Sequence, residues 1–206
     1  MFYQKLLPFI QSSTKRTYKR SQSIYMEGEE PQSLYLVKSG LIGLYHISES
    51  GKETFLRVFA KDSIFGHRSY FAQTPYHANA IALSESEIHI ISKEQCNEIC
   101  ENHPDLLKEL MKIISLELGE AEQRLAGLLD KSANTRIRES LVFLKLKYPQ
   151  KVWTRKEVAD FSGSTLETVT RVMTTLSNDG LIQKNGRDFK ILDVDKILHY
   201  IDSAQG

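Results

Sequence analysis

The stretch from Trp153 to Gly180 restricts the fold more than any other part of this 206-residue chain. Thr154 followed by Glu157 is a capping box, in which the hydroxyl satisfies an orphan helix amide and the carboxylate reaches back to the cap. The helix it starts is short, because Ser162-Gly163-Ser164 interrupts it. Ser164 followed by Glu167 repeats the pattern and restarts a helix, and Gly180 stands where a helix ends in the left-handed conformation. Two helices around a tight glycine-containing turn make a helix-turn-helix. Val158, Ala159, Phe161, Leu166, Val169, Val172, Met173 and Leu176 have the spacing to pack the pair together. That leaves Thr165, Glu167, Thr168, Thr170 and Arg171 for solvent or DNA. Threonine is a poor helix former, so its use on an exposed face points to a requirement other than helicity.

Those residue types suit base edges in a major groove. Arg171 can donate two parallel hydrogen bonds to guanine O6 and N7, and Glu167 can accept from cytosine N4. Thr170 offers a hydroxyl, and a methyl that matches the thymine methyl. Glu167 and Arg171 stand four apart, so they can also pair with each other, and Glu167 can equally serve only as a capping acid. Residues 181–192 read as a β-hairpin turning at Asn185-Gly186. Lys184, Arg187 and Lys190 make it basic, as a phosphate-holding wing should be, and Asp193 caps a last short helix. The segment reads as a winged helix-turn-helix for double-stranded DNA.

Upstream, Pro104 suits a first helical turn, and an amphipathic helix follows to about Asp130. Leu107, Met111, Ile114, Leu118, Ala121, Leu125 and Leu128 alternate spacings of four and three, an unbroken heptad seam. Leu106, Leu110, Ile113 and Leu129 form a second apolar strip. The second strip can pack on the helix's own domain while the seam joins another copy as a parallel coiled-coil homodimer. Asp130-Lys131-Ser132-Ala133-Asn134 reads as a polar hinge, and residues 135–148 as a helix stopped by Pro149.

Residues 14–92 have another character. Compact apolar runs at 33–40, 41–47, 54–59 and 78–91 are separated by turn residues, the mark of a β-sandwich or barrel. Cys96 and Cys100 are too few for a disulfide framework or a zinc site and read as structural thiols. Through residue 130 the chain holds 14 Lys and Arg against 17 Asp and Glu, while residues 131–206 hold 13 against 9. A net −3 followed by +4 suits a sensory part joined to a nucleic-acid-binding part. No apolar run approaches the ~18 residues a membrane span needs. Residues 1–8 lack the basic and apolar regions of a signal peptide, so a cytoplasmic chain with no membrane partner is expected. The six histidines contain no His-x-His pair with a following Glu, and no Ser/His/Asp set or nucleotide loop is legible. Neither catalytic residues nor a metal site are expected.

A strand-rich domain, a heptad helix and a winged helix-turn-helix, in that order, resemble the cyclic-AMP receptor protein/fumarate-nitrate regulator (CRP/FNR) family over nearly the whole chain. The most specific piece is Thr165-Leu166-Glu167-Thr168-Val169-Thr170-Arg171, similar to the family's recognition-helix pattern of Glu, Ser or Thr, then Arg, and closer to the FNR branch. The resemblance implies an α+β chain: a β-roll (jelly-roll, cyclic-nucleotide-binding-like) sensory domain at residues 1–103, a dimerisation helix at 104–130 and a winged helix-turn-helix at 131–206. It also implies a palindromic site with TTGA-type half-sites and RNA polymerase as a partner. Phosphate contacts from Arg155, Lys156 and Thr168 would add to those of Lys184 and Arg187 on the wing. The switch it implies is a reorientation of the DNA-binding domains about residues 130–134.

The sensory half departs from both familiar branches. No cysteine precedes Cys96, so the FNR branch's iron–sulfur cluster is not expected. The cyclic-AMP branch's Gly-Glu-Leu and Arg-Ser cassette corresponds to Gly66-His67-Arg68 and Tyr76-His77, and its adenine-contacting Thr-Ser pair to Ala121-Glu122. His67 replaces the ribose-binding acid and Tyr76 the phosphate-binding arginine, which argues against cyclic AMP. Gly66, His67, Arg68, Tyr76 and His77 remain a pocket for another small anion, or for haem with His67, His77 and His89 as ligands. Equally, the chain's own aromatic side chains fill it.

Overall fold

The computed structural model describes residues 6, 8–10 and 13–200, so the signal-peptide reading of residues 1–8 falls mostly outside it. The chain divides into two compact units, Met1–Glu122 and Gln123–Gly206.

The first unit contains β1 (Thr14–Tyr18), β2 (Ser23–Tyr25), β3 (Ser33–Ser39), β4 (Ile42–Ile47), β5 (Glu53–Phe59), β6 (Ile64–Phe65), β7 (Asn79–Ala82) and β8 (Ser86–Ser92). They form two antiparallel four-stranded sheets, ordered β1-β8-β3-β6 and β2-β7-β4-β5, a jelly-roll-like arrangement. β3 shows why its apolar run is unbroken rather than alternating. Tyr35 and Val37 enter one hydrophobic cluster with Ile42, Phe59, Phe65, Tyr76 and Ile88. Leu34 and Leu36 enter another with Ile64, Ile91, Cys96, Ile99, Leu106 and Leu110. Successive side chains point to opposite faces of a strand, and here both faces are covered.

This unit also holds α1 (His67–Ala72), α2 (Lys93–Asn102) and part of α3 (Pro104–Asp130), which crosses the boundary between units. α1 interrupts the strands where no helical apolar periodicity announces it. Gly66 precedes α1 at φ 80°, and a Cβ there would lie 2.9 Å from a Tyr35 ring carbon. α2 starts from a capping box of Ser92 and Gln95. On α3, Leu106 and Leu110 are buried and Ile113 packs against the same cluster. Leu129 does not continue that strip and is 78% exposed. Sixteen residues beyond Ile113 is about 160° around a 3.6-residue helix, so Leu129 faces nearly the opposite way.

The second unit contains the end of α3, then α4 (Ala133–Lys147), α5 (Arg155–Ser162), α6 (Leu166–Asn178), β9 (Ile182–Asn185), β10 (Asp188–Ile191) and α7 (Val194–Leu198). Its interior holds Ile137, Leu141, Leu144, Trp153, Val158, Val169, Leu176, Ile182 and Ile197. The polar break at residues 130–134 is bonded rather than loose. Ser132 caps α4 by accepting from the Thr135 amide, and Lys131 donates its amide to the Gly127 carbonyl at 3.1 Å. The Lys131 ammonium meets Glu139 at 2.7 Å. Its polarity is that of a helix cap. Among the described residues no helix is long and apolar enough to cross a membrane.

Candidate nucleic-acid interface

The helix-turn-helix is built from local bonds. Thr154 accepts from the Glu157 amide at 3.1 Å, and Glu157 accepts from the Thr154 amide at 2.8 Å, so the first capping box forms. Glu157 also meets Lys151 at 2.8 Å. Burial pushes the Glu157 carboxyl up, but the bonds from Lys151 and Thr154 outweigh it and leave the group below the ordinary carboxylate range. α5 ends at Gly163, which is left-handed at φ 64°.

The second cap is one residue later than the sequence suggests. Ser164 stays tied to α5, its amide donating to the Ala159 carbonyl at 2.9 Å. Thr165 therefore takes the cap, accepting from the Thr168 amide at 3.2 Å, and α6 begins at Leu166. This frees Glu167 from the capping role. Val169, Val172, Met173 and Leu176 bury one face of α6, while Glu167 and Arg171 are exposed and Thr170 is half-buried. Among the described residues, Glu167 and Arg171 bond neither to each other nor to another side chain. Gly180, at φ 68°, closes the helix with the Leu181 amide donating to the Leu176 carbonyl.

The expected phosphate contacts sit around this helix in the same unit. Arg155 is exposed at the start of α5, and Lys156, also exposed, meets Asp160 at 2.9 Å. The Thr168 hydroxyl lies 3.0 Å from that of Thr165. In the wing Asn185 pairs with Asp188, so the two turn residues are Gly186 and Arg187 rather than Asn185 and Gly186. The positive φ that such a turn needs at its first position falls on Gly186, at 59°. Arg187 is thus at the tip. Lys184 reaches the Thr174 hydroxyl at 3.4 Å, tying wing to recognition helix, and Lys190 is exposed.

The heptad seam of α3 is uncovered within the chain. Met111 is 66% exposed, Leu118 and Leu125 are each 59% exposed, and Leu128 is 47% exposed. Ile114 and Ala121 are exposed too, and only Leu107 is half-buried.

In the first unit two of the candidate pocket residues, His67 and Tyr76, are engaged by side chains outside the candidate set. His67 is 4% exposed, and its Nε2 lies 3.0 Å from a Glu117 carboxylate oxygen. Arg57 meets the other oxygen of Glu117 at 2.7 Å and donates to the Glu117 carbonyl at 2.9 Å. Tyr76 is buried and stacks on Tyr25, ring centroids 3.7 Å apart. Burial, with Arg68 nearby, pushes the His77 imidazole down to about 4. His89 meets the Ser13 hydroxyl at 3.0 Å and shares a sheet face with Ile91, away from the cluster that holds Tyr76. Burial pushes the Cys96 thiol up to about 12 and raises Cys100 as well, so neither is a ready thiolate at neutral pH. The bracing roles of Glu117 and Arg57 were not legible from spacing, because their bonds join residues 50 and 60 positions apart.

Comparison with known proteins agrees with this division. Residues 15–103 match the Cyclic nucleotide-binding domain family, and residues 123–200 match the Crp-like helix-turn-helix domain family. An uncharacterized protein of Haemophilus influenzae is 40% identical over 106 residues, covering 52% of this chain and 82% of its own. The transcriptional activator protein anr of Pseudomonas aeruginosa is 27% identical, with 86% of this chain and 76% of that protein covered. The solved structure of FixK2 from Bradyrhizobium japonicum superposes with a TM-score of 0.81 at 21% identity, covering 94% and 99% of the two chains. A CRP/FNR-family transcriptional regulator from Thermus thermophilus gives 0.75 at 25% identity, covering 90% and 98%.

Proposed function

Because the chain belongs to the CRP/FNR family of DNA-binding transcription regulators, we propose that it acts as a homodimer on a palindrome of TTGA-type half-sites, read by Glu167, Thr170 and Arg171. The observation that carries this reading is the pair of charged side chains on α6 that the fold leaves uncommitted. Arg171 supplies the bidentate fork for guanine, Glu167 the acceptor for cytosine, and Arg155, Lys156, Thr168, Lys184 and Arg187 hold the backbone. The seam from Leu107 to Leu128 joins the two copies. As in other regulators of this kind, its output is contact with, or exclusion of, RNA polymerase at a promoter. Replacing Arg171 with Ala should weaken binding to a TTGA-type palindrome by about 1–3 kcal/mol per half-site in a gel-shift or anisotropy titration. Unchanged affinity would refute the base-reading assignment.

We further propose that the β-roll does without cyclic AMP. The residues present do not fit that nucleotide: an imidazole bonded to Glu117 stands where the ribose needs an acid, and a stacked tyrosine where the phosphate needs a cation. One observation favours a second reading, an effector of another kind. His67 Nδ1 is buried without a hydrogen-bond partner, a place for an acid or anion to bind. Haem is less well supported, because His67 and His89 are bonded elsewhere and His89 faces away. Calorimetry with cyclic AMP, inorganic phosphate and hemin should show no heat from the first, and saturable binding of cyclic AMP would overturn the proposal.

A further inference from the structure

Two arginines bind the turn of the helix-turn-helix to the end of the long helix. The Arg136 guanidinium donates through Nε to the Ser162 carbonyl at 3.1 Å and through Nη1 to the Lys131 carbonyl at 2.8 Å. Its Nη2 lies 3.5 Å from the Gly163 carbonyl. Arg124, on α3, donates to the Phe161 carbonyl at 3.0 Å and lies 4.6 Å over the Phe161 ring. That ring stacks in turn on Phe143 of α4 at 5.5 Å. A Cβ on Gly163 would sit 3.3 Å from Leu128, so this backbone and the seam residue are in close approach. All of these groups belong to the second unit, whose boundary falls before Arg124.

The carbonyls involved are those a helix leaves unpaired at its C-terminus: Phe161, Ser162 and Gly163 at the end of α5, and Lys131 after α3. A planar guanidinium with five fixed donors can hold several such acceptors at once, which an ammonium cannot do in one geometry. Leu125 and Leu128 of the seam ride on the same turns as Arg124. We propose that Arg124 and Arg136 are positioning residues that lock the recognition helix to the dimer seam and thereby fix the half-site spacing the dimer accepts. This rests on the dimeric DNA-reading function proposed above. A rigidly joined pair of readers gains from its second contact only when the sites match its span, whereas a loosely joined pair tolerates mismatch.

The test uses the full chain and synthetic duplexes in which the two half-sites are moved apart or together by one base pair, beside a duplex with a single half-site. The wild-type chain, Arg136→Ala, Arg136→Lys and Arg124→Ala are titrated in parallel. Both Ala variants should hold single half-site affinity within about twofold while their preference for the best spacing over its neighbours falls about tenfold. Arg136→Lys should behave as Arg136→Ala does, since charge alone does not reproduce the fork. Wild-type spacing ratios in the variants would overturn the proposal. So would half-site affinity that falls as far as full-site affinity, since that marks a merely structural role. A wild-type chain that binds none of the duplexes refutes the DNA-reading function itself, before any variant is compared. A nitroxide on Asn178→Cys, with Cys96 and Cys100 replaced by Ser, gives a readout without DNA. The distance distribution between copies should broaden in Arg136→Ala, and an unchanged width would refute the lock.

Discussion

Charged side chains in this chain fall into those spent on its own fold and those left over. Lys151 and Glu157 are spent on the start of α5, and Arg57, Glu117 and His67 on joining β5, α1 and α3. Glu167 and Arg171 are left over. The distinction follows sequence distance: the Thr154 and Glu157 box was legible because its partners stand three apart, whereas the partners of Glu117 stand 50 and 60 positions away. Removing the Glu117 charge takes from largely buried Arg57 its nearest carboxylate, leaving only Glu120 at 3.9 Å, and alters the acceptor beside buried His67. Glu117→Gln is expected to cost about 2 kcal/mol of stability in urea unfolding. A loss below about 0.5 kcal/mol would mean the triad is a solvated surface pair.

At the scale of elements, β3, β4, β5 and the long helix α3 were legible nearly to their ends, because an apolar run or an apolar period of three to four persists through each, whereas the single stretch read at 78–91 is two strands, β7 and β8. The short α1 has no such period, and its start depends on Gly66 meeting Tyr35, a contact between residues 31 apart. The α6 cap lies one residue beyond the expected position, since both Ser164 and Thr165 suit a cap and only the bond from Ser164 back to Ala159 decides between them. Thr165→Ala should therefore destabilise the second unit by about 1 kcal/mol, and Ser164→Ala by much less. Thermal unfolding of the two variants separates them, and the reverse order would reinstate the cap at Ser164. On α3, Leu118→Glu places a charge in the uncovered seam and should turn dimers into monomers in sedimentation. Dimers that survive it would move the interface elsewhere.

For the molecule as a whole, the order of β-roll, long helix and winged helix-turn-helix was legible from the pattern of elements, while the division of α3 between two units was not. pH should act on the first unit through His77. The unfolded chain takes up that proton near 6.5, and the folded chain resists until about 4. His77 therefore costs no stability above 6.5 and an increasing amount as pH falls from 6.5 towards 4, of order 1 kcal/mol after solvent screening. His77→Gln should flatten that part of the pH profile, and an unchanged slope would show that other groups set it. The claim on which the rest depends is that α6 reads bases as one of a symmetric pair. Selection of DNA from a random duplex pool by the purified full-length chain tests it most directly. The account predicts enrichment of an inverted repeat with TTGA-type half-sites, and of other bases at the guanine position when Arg171→Ala is used. Recovery of no sequence, or of a single asymmetric one indifferent to Arg171, would contradict it.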